Sequence, residues 1–292
     1  MIRCPHRRRA LPTLCILASL FVPACSLPVR LGADLVQDGS RSRGIAYYVG
    51  GAGPLGNVGF LSVPRGMRAA GFPGYVEVVT WQGFGSAVDQ VNLSRNRQKG
   101  LDLANDIRRY HRQNPDAPIY LLALSAGTGV ATFALESLPD SIRIDGACFL
   151  GCSLSSRYDL TRALRRISGR LLVYYSYNDR ILNDIVPYTG TVDRADASDG
   201  VAGLAGFRIS RNALPETRRQ YRKLLNIPYQ AEFADAGWDG GHMTSVSESF
   251  IAWYVAPCLL HGTGRGLDAA WSPANADLPP PQESADDYGR EP

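Results

Sequence analysis

Cysteine and histidine are scarce in this chain, and a long apolar run is missing. Six cysteines and four histidines stand among 292 residues. No stretch reaches the roughly 18–20 apolar residues that a membrane-spanning helix needs. Only Cys148, Cys152 and Cys258 lie beyond the N-terminal segment. Three cysteines do not make a disulfide framework. Cys148 and Cys152 also lack a second pair at metal-ligand spacing, so neither a metal nor a cofactor is expected. Clustered Lys/Arg, the footprint of a nucleic-acid binder, is absent after the first ten residues. Residues 1–24 contain no acid but carry Arg3, Arg7, Arg8 and Arg9, so they account for the whole formal charge of +4. The rest of the chain is formally neutral.

That N-terminus has the layout of an export signal. A basic stretch precedes an apolar core from Ala10 to Val22, of signal-peptide length. It ends in Val22-Pro23-Ala24-Cys25, which resembles a bacterial lipobox with Cys25 as the lipidated residue. The same residues also fit an ordinary signal-peptidase site, which would leave a secreted or periplasmic protein. Ser26, in place of an aspartate, favours the outer membrane for a Gram-negative lipoprotein. The Arg7–Arg9 run is compatible with twin-arginine export. The division expected is a leader over 1–24, an anchor and linker over 25–44 with an edge strand near Leu31–Val36, one domain over 45–263, and a Pro-rich disordered tail over 264–292.

Within the domain, apolar strand patterns alternate with helical ones. Strands are expected at 45–49, 75–81, 119–124, 144–150, 171–177 and 229–233, with helices over 97–113, 126–137 and 159–167. A closing helix carries Val246, Phe250, Ile251 and Tyr254. Several strands are apolar on both faces, which predicts an α/β fold: a doubly wound, mainly parallel sheet covered on both sides. In such sheets ligands sit at the carboxyl ends of the strands. Residues 184–226 are long for a connection and are a candidate cap.

One of those strand ends carries Ala123-Leu124-Ser125-Ala126-Gly127, between a strand and a helix. Small residues two positions either side of a serine let strand and helix approach around a strained turn. A serine hydroxyl needs a base, and the base an acid to orient it. His242 stands in Asp239-Gly240-Gly241-His242, a glycine loop before the closing helix. Asp179 follows the strand at 171–177, with Asp184 as the near alternative and Asp159 the distant one. Gly50-Gly51-Ala52-Gly53 follows the first strand. This order of parts resembles the α/β-hydrolase superfamily over residues 45–260. The resemblance implies Ser125 as nucleophile, His242 as base and Asp179 as its acid. It implies an oxyanion hole from the Ala126 N–H with that of Ala52 or Gly51. Ala123 replaces the usual first glycine of the elbow, and the histidine often found before the glycine loop is absent. The expected activity is hydrolysis of a small-molecule or lipid ester, with a membrane contact through Cys25 and no nucleic-acid partner. A non-catalytic binding protein of the same fold is the alternative. A third reading takes Gly51-Ala52-Gly53-Pro54-Leu55-Gly56 as a dinucleotide fingerprint. Pro54 and the lack of an acid after Val79 count against it. Tyr47, Tyr48, Trp81, Phe84 and Trp238 are candidate pocket residues.

Overall fold

The computed structural model describes residues 26–52, 57–82, 92–195 and 197–275. The leader, Cys25, Gly53 to Gly56, Phe84 and residues 276–292 lie outside the described residues. Six strands form one all-parallel sheet: β1 (Ile45–Val49), β2 (Tyr75–Val79), β3 (Ile119–Leu124), β4 (Gly146–Leu150), β5 (Leu171–Tyr175) and β6 (Leu224–Pro228). Their spatial order is β2-β1-β3-β4-β5-β6. The order reverses at β1, so the sheet is doubly wound. β1, β3, β4 and β5 are buried along their whole length. Helices cover both of their faces, which is why these strands read as unbroken apolar runs rather than alternating ones.

Alternate residues of each strand feed two cores. Ile45, Tyr47, Val49, Leu121 and Ala123 face α3 (Leu93–Gln113) and α4 (Gly127–Ser137). Ala46, Tyr48, Leu122, Leu124 and Cys148 face α2 (Ser62–Ala69) and the closing helix. That closing helix runs from Glu248 to His261, with a π-helical turn at Ile251–Val255 followed by Pro257. Proline lacks the N–H that an α-helical ladder would use there, and a wider turn accommodates its loss.

Three expectations fail. Residues 26–34 form a helix, α1 (Ser26–Asp34), not an edge strand. The exposed edge of β2 is instead paired by a side chain. Gln37 Nε2 donates to the Val76 carbonyl at 2.9 Å and its Oε1 accepts from the Val76 N–H at 2.7 Å, doing what a strand would do for that edge. The last strand is Leu224–Pro228, not 229–233, which opens a 3₁₀ turn over Ala231–Ala236. Asn226 hid it, being a polar residue in the middle of a buried strand. It is tolerated because its amide pairs both backbone groups of Phe207, at 2.9 and 3.0 Å. Finally, residues 264–275 are packed. Trp271 bridges Asn226 antiparallel to β6 and its indole N–H donates to Tyr175 Oη at 3.1 Å.

The short helix α5 (Thr161–Leu164) is all that remains of the helix expected over 159–167. Within 184–226, α6 (Arg180–Thr189) is followed by Val192, Ala202 and Phe207, which return to the core on the α3–α4 face. Among the described residues, no helix is long and apolar enough to cross a membrane.

Candidate active site

Ser125 sits at the carboxyl end of β3, on a turn with φ of +56°. That is left-handed backbone, which a residue with a Cβ adopts only under strain. Among the described non-glycine residues, Arg194 is the only other with positive φ. The Ser125 N–H donates to the Leu150 carbonyl at 3.0 Å, tying the turn to the end of β4. Its carbonyl accepts from the Thr128 N–H and hydroxyl, at 3.0 and 2.6 Å. The side chain does not cap α4, so the simplest structural use of this serine is not the one made of it.

Glycines make the strained turn fit. A Cβ on Gly127 would lie 2.3 Å from both the Val49 and Gly50 carbonyl oxygens. That position is therefore closed to any side chain, whereas Ala123, fully buried, fills the place of the usual first glycine with one methyl. A Cβ on Gly51 would come within 3.1 Å of Ser125 Cβ, so the loop after β1 lies directly against Ser125. This loop is clamped from behind. The Trp81 indole donates to the Gly50 carbonyl at 2.8 Å, the Gln82 amide to the Gly51 carbonyl at 2.9 Å, and Arg95 to the Trp81 carbonyl at 2.7 Å.

Asp179 and His242 meet across 63 residues of sequence. Asp179 Oδ2 lies 2.6 Å from His242 Nδ1. Both are buried, at 2% and 6% exposure. The other carboxylate oxygen, Oδ1, accepts from the Leu182 N–H at 3.0 Å and caps α6. Asp179 is therefore locked from two sides. As a carboxylate it can only accept, so Nδ1 carries the proton and Nε2 is left as the basic nitrogen. The two alternatives for the acid are elsewhere: Asp184 is exposed on α6, and Asp159 binds the Thr161 N–H at 2.9 Å at the start of α5.

The His242 loop is held by its own side chains. The Trp238 indole donates to the Gly241 carbonyl at 3.0 Å. Asp239 Oδ1 accepts from the Gly241 N–H at 2.9 Å and from the Thr244 hydroxyl, which hold this carboxylate below its usual range. Ser245 Oγ donates to the His242 carbonyl at 2.7 Å. Trp238 is stacked on Phe233 and buried, so it supports the loop and does not line a pocket. Tyr47 and Tyr48 are likewise core residues, and Trp81 is the clamp on the β1 loop.

Gly151 was not singled out from the sequence. It follows β4, the neighbour of the strand that ends at Ser125, at φ of +48°. A Cβ there would fall 2.8 Å from His242 Nδ1 and 3.2 Å from Asp179 Oδ2. A glycine ending a buried strand was the available signal. Cys152, the next residue, is fully buried against Thr128, and burial pushes its thiol up to about 12, which leaves it inert beside the serine.

The strand ends thus bring together Ser125, the loop of Gly51 and Ala52, and the Asp179–His242 pair. The Ala126, Gly51 and Ala52 N–H groups have no acceptor among the described residues. No hydrogen bond joins Ser125 Oγ to His242. Among the described residues, no group of His, Cys, Asp or Glu is arranged to hold a metal ion.

A scan against protein-family models finds no match, and neither does a search of the curated proteins. Among solved structures, the chain is similar to a Trichoderma reesei cutinase in complex with a C11Y4 phosphonate inhibitor. The TM-score is 0.36 and the identity 15%, over 79% of this chain and 88% of that one. A likeness of that size bears on neither the site residues nor the activity.

Proposed function

We propose that this protein is a serine hydrolase that cleaves a carboxylic ester through an acyl-enzyme. The observation that carries the reading is the buried 2.6 Å contact between Asp179 and His242, at the same sheet edge as a serine held at positive φ. His242 Nε2 takes the proton of Ser125 as Oγ adds to the ester carbonyl. The oxyanion is met by the N–H of Ala126 and that of Gly51 or Ala52. Collapse expels the alcohol, which leaves with the proton from His242. Water then repeats the sequence on the acyl-serine and releases the acid. Asp179 stays ionised and holds the imidazole in one tautomer. In the same proposal the chain is exported and held at the cell envelope by lipid on Cys25, as the lipobox-like residues suggest.

A fluorophosphonate probe tests the chemistry directly. The full-length protein is expected to label, and Ser125→Ala and His242→Ala to lose labelling while remaining folded. Ser125→Ala is expected to lower kcat by about 10⁶, as removal of the nucleophile does in working triads. A second reading, a binding protein that keeps the fold, has one observation in its favour, the absence of a Ser125–His242 hydrogen bond. Such bonds are often long before substrate arrives. A folded wild-type protein that does not label decides for this second reading.

A further inference from the structure

Beside His242 lies a cleft of about 650 Å³, lined about equally by polar and apolar surface. Small-molecule pockets are mostly apolar with a few polar groups. Here polar surface takes nearly half of the lining: Tyr177, Asn178, Arg180, Asn183, Asp239 and Thr244 all contribute, beside Ile181 and Met243. Ser125, Gly51 and Ala52 do not line it, so the cleft lies on the histidine side of the site and not on the oxyanion side.

That position assigns the cleft to one half of an ester. The base that takes the serine proton must return it to the departing oxygen, so the alcohol half has to sit within reach of His242. The polar side chains of the cleft divide into two groups. Asn183 is spent on the Tyr177 and Asp179 carbonyls, at 2.8 and 3.1 Å, and Asp239 Oδ1 on its own loop. The Tyr177 hydroxyl, the Asn178 amide and the Arg180 guanidinium have no hydrogen-bond partner among the described residues. They stand on consecutive turns around Asp179, and Tyr177 shows 52% of its surface. An amide, a phenol and a fork of guanidinium donors beside an exposed ring face match a ligand dense in hydroxyl groups. An alkyl chain would leave all three dehydrated and unpaired.

We infer that the alcohol released by this enzyme is polyhydroxylated, a sugar or polyol bound by Tyr177, Asn178 and Arg180. The inference rests on the hydrolase reading above and deepens it.

The test exploits the acyl-enzyme. An acceptor alcohol attacks the acyl-serine from the leaving-group side. Its O–H proton passes to His242 and on to Ser125 Oγ, the serine–acyl bond breaks and a new ester forms. Wild-type protein is given a p-nitrophenyl ester with equal concentrations of methyl glucoside and 1-propanol, and the two transfer products are measured. The glycoside is expected to capture the acyl group at least 10-fold more often, because a site built for hydroxyls discriminates strongly against an analogue lacking them. The double variant Asn178→Leu/Arg180→Leu is expected to lower that ratio at least 10-fold. Preference for propanol in the wild type overturns the inference, and so does an unchanged ratio in a folded double variant. If the variant does not fold, the wild-type ratio decides alone. Absence of any p-nitrophenol release, with no fluorophosphonate labelling, instead removes the hydrolase reading on which the inference stands.

Discussion

The turn that carries Ser125 and the loop that carries His242 are held in opposite ways. The serine is placed chiefly by close backbone packing, with the Thr128 hydroxyl on its carbonyl. Gly127 leaves no room for a Cβ beside it, Gly51 leaves little, Gly151 does the same beside Asp179 and His242, and the serine itself is forced to φ of +56°. The histidine is placed by side chains: Asp179 from α6, Trp238 from the aromatic core, and Asp239, Thr244 and Ser245 from its own loop. The first mode is steric and all-or-none. The second is a sum of hydrogen bonds, each worth about 1 kcal/mol net. Substitutions should therefore act abruptly at the turn and by degrees at the loop.

The largest effect is expected at Gly127. Adding one methyl group there meets two backbone carbonyl oxygens at 2.3 Å, those of Val49 at the end of β1 and of Gly50 just after it. Gly127→Ala is expected to cost about 3 kcal/mol or more, read as a fall of roughly 10 °C in Tm. A Tm within 2 °C of wild type would show that the turn is not steric in origin.

Asp179→Asn sharpens the contrast, because it separates the two oxygens of one side chain. Asparagine caps a helix about as well as aspartate, so α6 and the Tm should change little. The amide can present its NH₂ to His242 Nδ1 and favour the wrong tautomer. A fall in kcat of about 10⁴ is expected, the size seen for that exchange in another triad. Equal losses of stability and activity would mean that Asp179 is a cap and nothing more.

Trp238→Phe keeps most of the stacking on Phe233 and removes the donor to the Gly241 carbonyl. About 1 kcal/mol of loop stability should go with it. Activity is expected to fall roughly 10-fold through kcat, with KM for a p-nitrophenyl ester little moved. An undiminished kcat would show that the loop is held without this bond.

The smallest effect concerns acid. The Thr244 hydroxyl and the Gly241 N–H hold the Asp239 carboxylate below its ordinary value of 3.8. A carboxylate with a lowered folded value contributes stability above the unfolded value and loses it as pH falls through the folded one. The loop should therefore loosen at a pH below about 4. The group is largely exposed, so the contribution is small. Asp239→Asn is expected to flatten the acid limb of a Tm-against-pH profile slightly and to leave its neutral region alone. A variant whose acid limb is as steep as wild type would remove Asp239 from the account.

The fold and the candidate residues are legible in the sequence, and the reason is local. Ser125 and its small neighbours lie within one strand–turn–helix, so their spacing carries the steric demand. The order of apolar strands predicted the doubly wound sheet because strands buried on both faces have no polar alternation. His242 and Asp179 could be ranked because few histidines and few strand-end acids exist to choose from. The errors have equally physical causes. β6 was misplaced because Asn226 finds its partners in Phe207, which lies 19 residues away. α1 was misread because its burial depends on the edge of β2. Residues 264–275 were read as disordered because their order comes from a bridge to β6.

The sequence by itself determined the layered α/β architecture and nominated Ser125, Asp179 and His242 as candidates, since both follow from periodicity and from neighbours in the chain. Only the tertiary structure decided that Asp179, not Asp184 or Asp159, meets His242. Only it showed that Gly151 makes room for that meeting, and that a half-polar cleft opens on the histidine side. These are contacts between strand ends tens of residues apart, and no local pattern encodes a distance that only the closed sheet creates.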